Sequence, residues 1–140
     1  MSNCTNIGDE SIVYTISTFL NLKILNLSNT RVTDQGLRLL IDNCQLLEEL
    51  YLSRCVHLSE SVIRHLAQSS LRLVSLDISH NKNVSEFQFK SFYLKSLRLE
   101  NCVNLSESTI QHIAKTCTNL TELVSLYTQK SVQLTLRLRI

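Results

Sequence analysis

The stretch CQLLEELYLSRCVHLSESVIRHLAQ, Cys44 to Gln68, decides the architecture. Its centre, Leu47-Glu-Glu-Leu50-Tyr-Leu52, has the form L-x-x-L-x-L. Leu50 and Leu52 alternate with Glu49 and Tyr51, which is the period of a strand with one apolar face. The second half, from Ser59, changes period. Ser59 suits a helix N-cap, Glu60 lies at the positive end, and Val62, Ile63 and Leu66 share one helical face.

The same pattern recurs. LKILNL starts at Leu22, LVSLDI at Leu73, LKSLRL at Leu94, and LTELVS at Leu120 with Ser125 where an apolar residue is expected. The spacings are 25, 26, 21 and 26 residues, the period of leucine-rich repeats. A lone strand of this kind cannot bury its apolar face. Stacked in parallel, the strands make one leucine column, and each parallel step needs a crossover. Thr33 with Leu37, Leu40 and Ile41, and Ser106 with Ile110, Ile113 and Ala114, supply further capped amphipathic helices. The N-terminal segment has the matching second half, Cys4 through Ile12 and Ile16, and its strand is expected upstream of Met1.

The segments RCVHLSESVI (Arg54–Ile63) and NCVNLSESTI (Asn101–Ile110) agree at seven of ten positions, and each carries a cysteine. The repeat period separates a packing role from a chemical one. Cys55 and Cys102 lie three residues after Leu52 and Leu99, in the slot also held by Cys4, Thr30 and Asn81. Cys44 and Cys117 lie three before Leu47 and Leu120, in a second slot. A small side chain that packs and bonds nearby backbone is expected at both. No C-x2–4-C pair occurs, and His57, two residues after Cys55, is Asn104 in the second copy. His65 and His112 share a helix position off the apolar stripe, and His80 follows Ser79 in a strand-to-loop turn with no second ligand. With no nucleophile elbow, zinc-protease motif or phosphate loop, the sequence offers no catalytic, metal or cofactor site. It reads as a non-enzyme.

Composition agrees. The chain has 140 residues, net charge +2, two glycines and no proline, so Asn, Ser, Thr and Asp must punctuate the loops. Lys and Arg are dispersed, which argues against nucleic acid, and no apolar run has the length of a membrane span. Five cysteines without a basic, signal-like N-terminus suggest reduced thiols in the cytoplasm or nucleus. The sequons at Asn3, Asn26, Asn83, Asn104 and Asn119 then arise by chance in an Asn/Ser/Thr-rich chain.

These units resemble the cysteine-containing leucine-rich repeats of F-box/leucine-rich-repeat proteins and the related mitotic-exit antagonists. The likeness covers about residues 2–124. It implies an α/β leucine-rich-repeat solenoid of about four to five repeats, ribonuclease-inhibitor-like, with a curved parallel sheet and helices on the convex side. Residues 1–126 would form the repeats, the first incomplete, and 127–140 a divergent strand-like tail. In the F-box members such repeats select protein substrates for an SCF ubiquitin ligase, and an upstream F-box grips the adaptor Skp1. No segment here could be an F-box, so Skp1 binding is expected only of a longer form. The chain is expected to be a monomer, and the competing expectation is a leucine-rich-repeat scaffold with no ubiquitin link, such as a component of a cytoskeletal or axonemal complex.

Two stretches depart from the repeat. The unit from Leu73 to Leu94 is short by about one helical turn, and Phe87, Phe89 and Phe92 are expected to fill the space left by a shortened helix, the alternative being an exposed aromatic patch that anchors a partner. After Leu123 the phase is expected to fail, and Val132, Leu134, Leu136, Leu138 and Ile140 alternate as in a strand that could cover the open end of the sheet. The unusual ends suggest a fragment or truncated form.

Binding residues are expected on the outward strand positions. One row reads Asn26, Tyr51, Asp77, Arg98, Val124, with Asp77 and Arg98 placed to pair. Flanking rows read Ile24, Glu49, Ser75, Ser96, Glu122 and Ser28, Ser53, Ser79, Glu100. Ile24, Asn26, Glu49, Tyr51, Asp77, Arg98, Glu100 and Glu122 are the candidate protein-binding residues, with Tyr51 as the anchor.

Overall fold

A computed structural model describes residues 7–126 and 133–136. Cys4, Val132, Leu138 and Ile140 lie outside them. The elements run α1 (Asp9–Thr18), β1 (Ile24–Asn26), α2 (Asp34–Asn43), β2 (Glu49–Tyr51), α3 (Glu60–Gln68), β3 (Ser75–Asp77), β4 (Ser96–Arg98), α4 (Glu107–Thr116), β5 (Glu122–Leu126) and β6 (Gln133–Leu136). The fold is mixed α/β. Strands β1 to β5 form a parallel sheet in sequence order, and β6 joins its edge antiparallel to β5.

The register follows the sequence period. Leu25, Leu50, Leu76, Leu97 and Leu123 are Cα partners in turn, so the column stacks without a slip. All five are buried, in one cluster with the helix stripes Leu37–Leu40–Ile41, Val62–Ile63–Leu66 and Ile110–Ile113. Ala114 is only half-buried. The helices thus cover the leucine face of the sheet and leave its other face open to solvent. Each fully buried leucine is worth about 1.5–3 kcal/mol, so the column and the helix stripes packed on it stabilise the fold together.

The expected caps are present at Ser59 and Ser106, whose hydroxyls accept from Ser61 N and Thr109 N at 3.2 and 3.3 Å. Thr33 caps α2 without that bond. Its hydroxyl donates instead to the Asp9 carboxylate, which also accepts from Thr33 N at 2.8 Å. The arrangement repeats. Asp34 accepts from the Ser59 amide at 2.7 Å and from its hydroxyl, and Glu60 accepts from the Ser85 hydroxyl. The first acid of each of these helices therefore bonds the cap position of the next unit. Gly36 lies under the first of these acids. A Cβ there would come within 2.3 Å of Asp9 Oδ1, so any other residue would have to displace the Asp9 side chain that bonds Thr33.

The strand-exit turns repeat a left-handed residue, at Asn29, Arg54, His80 and Asn101, with φ between 52° and 60°. Asparagine tolerates this region well, whereas Arg54 and His80 hold it at some cost. With neither glycine available to these turns, asparagine and the stacked context do glycine's usual work.

Three expectations change. The crossover between β3 and β4 contains no helix, rather than a shortened one. Phe87 and Phe89 are buried and fill that space, but Phe92 is 61% exposed and does not. Extended chain explains the difference: Phe87 and Phe89 are two apart and face the same way, while Phe92 falls out of that period. The strand phase also continues past Leu123. Val124 pairs with Arg98, and Ser125 is buried where earlier strands place Leu27 and Leu52.

Because one helix is missing, the helical layer is interrupted. No Cα of α3 lies within 8 Å of one in α4, although α1–α2 and α2–α3 are neighbours. A notch of about 480 Å3 opens there, lined by Arg64, Gln68, Glu86, Phe87, Ser108 and His112. Among the described residues, no helix is long and apolar enough to cross a membrane.

Candidate protein-binding face

The site is built by strand alternation. With leucines committed inward, the residues between them point to solvent on the uncovered face. The predicted rows align as Cα partners: Ile24, Glu49, Ser75, Ser96, Glu122, and beside them Asn26, Tyr51, Asp77, Arg98, Val124. The structure thus brings seven of the eight candidates into two adjacent rows. Glu100 sits just past them, where its amide donates to Ser79 Oγ at 3.1 Å.

The residues divide by what they already bond. Asn26 and Asp77 use a side-chain oxygen to accept from the amides of Ser28 and Ser79, each at 2.9 Å. They hold the strand exit, so their main role is structural. The expected Asp77–Arg98 pair does not form. Arg98 turns to Glu122 of the next strand, 3.7 Å away, and Ser96 Oγ donates to the same carboxylate at 2.9 Å. A loose, exposed pair of this kind contributes little to stability and is free to be replaced by a partner.

Tyr51 is half-buried, and its hydroxyl donates to Glu49 Oε2 at 2.6 Å. That bond is the leading reason the phenol is pushed up from its ordinary value. The ring is therefore held in place on the second of the five parallel strands. Ile24, 58% exposed, adds an apolar contact at the β1 edge. The remaining chemistry is acidic, with Glu49, Asp77, Glu100 and Glu122 against the single cation Arg98.

The cysteines are accounted for by packing. Cys44, Cys55, Cys102 and Cys117 are free and buried. Cys55 Sγ donates to the Leu27 carbonyl at 3.1 Å and Cys102 Sγ to that of Ile78 at 3.3 Å. In the same slot, Asn81 Nδ2 donates to Leu52 O at 2.9 Å and Thr30 to Leu27 O at 2.6 Å. One carbonyl per strand end leaves the ladder, and the slot residue satisfies it. Beside this slot, Asn83 and Asn104 bond the turn carbonyls of Leu58 and Lys82, while His57 is exposed. His65 and His112 are half-buried, and His65 meets Asp42 at 2.9 Å. His80 Nδ1 lies 3.1 Å from Asn101 Nδ2. Among the described residues, no group of three His, Cys, Asp or Glu side chains could hold a metal.

Burial pushes the Cys102 thiol up to about 11. Its unfolded value is lower, near 9, so the folded state resists its ionisation. The contribution to stability is complete below about pH 9 and is lost as pH rises from there through about 11. The urea midpoint is expected to fall across that window, and Cys102→Thr, which keeps the slot's hydrogen bond, should shrink the fall. An identical pH profile in the variant would show that Cys102 is not responsible.

No family model and no curated protein matches this chain.

Proposed function

We propose that the chain is a protein-interaction module: a cysteine-containing leucine-rich-repeat solenoid that holds a partner protein on its open strand face. The observation that carries the proposal is the unbroken register, which lines up solvent-facing side chains from five successive strands over a leucine column committed to the core. A rigid face with a fixed tyrosine and an excess of carboxylates suits a basic or hydroxyl-rich segment of another protein. The cysteine slots, occupied by buried thiols bonded to carbonyls, support the same repeat type. The sequence likeness extends the proposal to substrate recognition for an SCF ubiquitin ligase, acting in the cytoplasm or nucleus, with Skp1 bound only by a longer form carrying an F-box.

The test compares proteins recovered by the immobilised chain and by its Tyr51→Ala variant. Tyr51→Ala is expected to change unfolding free energy by less than about 1 kcal/mol, because the ring is only half-buried. Partner affinity should fall about tenfold or more if Tyr51 is the anchor. Recovery of the same partners at the same strength by both forms would remove the strand face from the proposal. Co-purification of Skp1 with a longer form would favour the ligase role.

A further inference from the structure

The rim where the strands begin carries a second feature. Phe92 and Tyr93 are adjacent, 61% and 48% exposed, on the helix-free crossover before β4. They are not loosely held. Ser91 Oγ accepts from the amides of Tyr93 and Leu94 at 3.1 and 3.2 Å. Asn119 Nδ2 donates to the Phe92 carbonyl at 2.6 Å, and the Thr116 hydroxyl donates to the Phe89 carbonyl. Leu94 is fully buried. The backbone is thus fastened at several points while two large rings are presented to water, an arrangement that lowers the ordering cost of binding.

One cation lies on a ring, and two more are close to the pair in sequence. The Arg72 guanidinium lies 5.3 Å from the centroid of Tyr93, within reach of its electron-rich face. Lys90 lies two residues before Phe92 and Lys95 two after Tyr93, and both are exposed. Among the described residues, neither lysine nor Arg72 lies within 4 Å of a carboxylate in an ion pair. Leu46 occupies the same phase as Tyr93 two units earlier, and it too is exposed, with Arg72 holding that phase in the unit between them.

We propose that this rim, with Phe92 and Tyr93 flanked by Arg72, Lys90 and Lys95, docks an acidic peptide segment of another protein that carries an apolar anchor residue. The anchor packs on the rings, and carboxylates on either side meet the three cations. An extended peptide advances about 3.3 Å per residue, so a few residues span the cluster. A short peptide is favoured over a membrane or a nucleic acid because the adjoining strand face carries Glu49 and Glu122, which repel any broad anionic surface. This site is separate from the Tyr51 face and stands or falls independently of it.

The experiment measures binding of a fluorescein-labelled peptide of alternating Glu and Leu to the full chain by anisotropy. Parallel probes are the same peptide with Lys for Glu, phosphatidylserine–phosphatidylcholine vesicles and oligothymidylate. The acidic peptide is expected to bind, more weakly as salt rises. Phe92→Ser, and separately the double variant Lys90→Glu with Lys95→Glu, should each weaken it about tenfold or more. Val56→Ser, an exposed change at the strand-exit turn, should not. Circular dichroism confirms that each variant is folded, and the charge variant decides the matter if Phe92→Ser is not. No binding of the acidic peptide, equal binding of the basic one, or binding untouched by the variants overturns the proposal. So does tighter binding of vesicles or oligothymidylate that the same variants abolish.

Discussion

Leu50→Ala is expected to lower the unfolding free energy by about 2–5 kcal/mol, the largest effect of any single change considered. Leu50 has no exposed surface and stacks between Leu25 and Leu76 within the column. Truncation removes its contacts and leaves a cavity that neighbours on two strands cannot close, because their own register is fixed by the ladder. Urea unfolding followed by circular dichroism measures the effect. The adjacent Tyr51→Ala provides the contrast, since it lies one residue away and on the other face. Equal destabilisation by the two variants would contradict the strand alternation on which the binding face rests.

Asn81→Ala should cost about 2–4 kcal/mol, combining a lost buried hydrogen bond with a small cavity. Asn81 is 1% exposed, and its side-chain amide donates to the carbonyls of Leu52 and Ile78, both at 2.9 Å. The Ile78 carbonyl keeps Cys102 as a donor, whereas that of Leu52 loses its side-chain partner. Asn81→Cys should recover at least half of the loss, because Cys55 and Cys102 perform the same donation in neighbouring units. If Asn81→Cys is as unstable as Asn81→Ala, the slot is set by volume rather than by the carbonyl.

Much of this was legible in the sequence. Five strands, their register and the buried column follow from leucine spacing, because alternation and stacking leave a parallel sheet few ways to pair. The caps at Ser59 and Ser106 were equally plain. The acid-to-cap bonds of Asp9, Asp34 and Glu60 were not, since periodicity reports which face is buried and not what bonds across units. Their signal was the acid directly after each cap. The crossover before β4 was misjudged although Phe87 and Phe89 are spaced by two, a strand period rather than a helical one. On the binding face, residue positions were predictable and ion-pair choice was not. Arg98 pairs with Glu122, while Asp77 accepts from the Ser79 amide, and spacing alone announces neither choice.

The interruption between α3 and α4 has a consequence for cooperativity. In an array where each unit is stabilised by its neighbours, the unfolding of one is transmitted through the interface they share. Between the β1–α2 and β2–α3 units that interface has two parts, helix against helix and strand against strand. At the missing helix the helix-to-helix part is absent, and the coupling is carried by the strands, the Phe87–Phe89 plug and the hydrogen bonds that Cys102, Asn104, Thr116 and Asn119 make to carbonyls of the preceding unit. The stability of the chain is therefore graded rather than uniform, and the junction between β3 and β4 is where partial opening would begin. A ligand that spans Asp77 and Arg98 would bridge that junction on the strand face and strengthen the coupling where the helix-to-helix contact is absent.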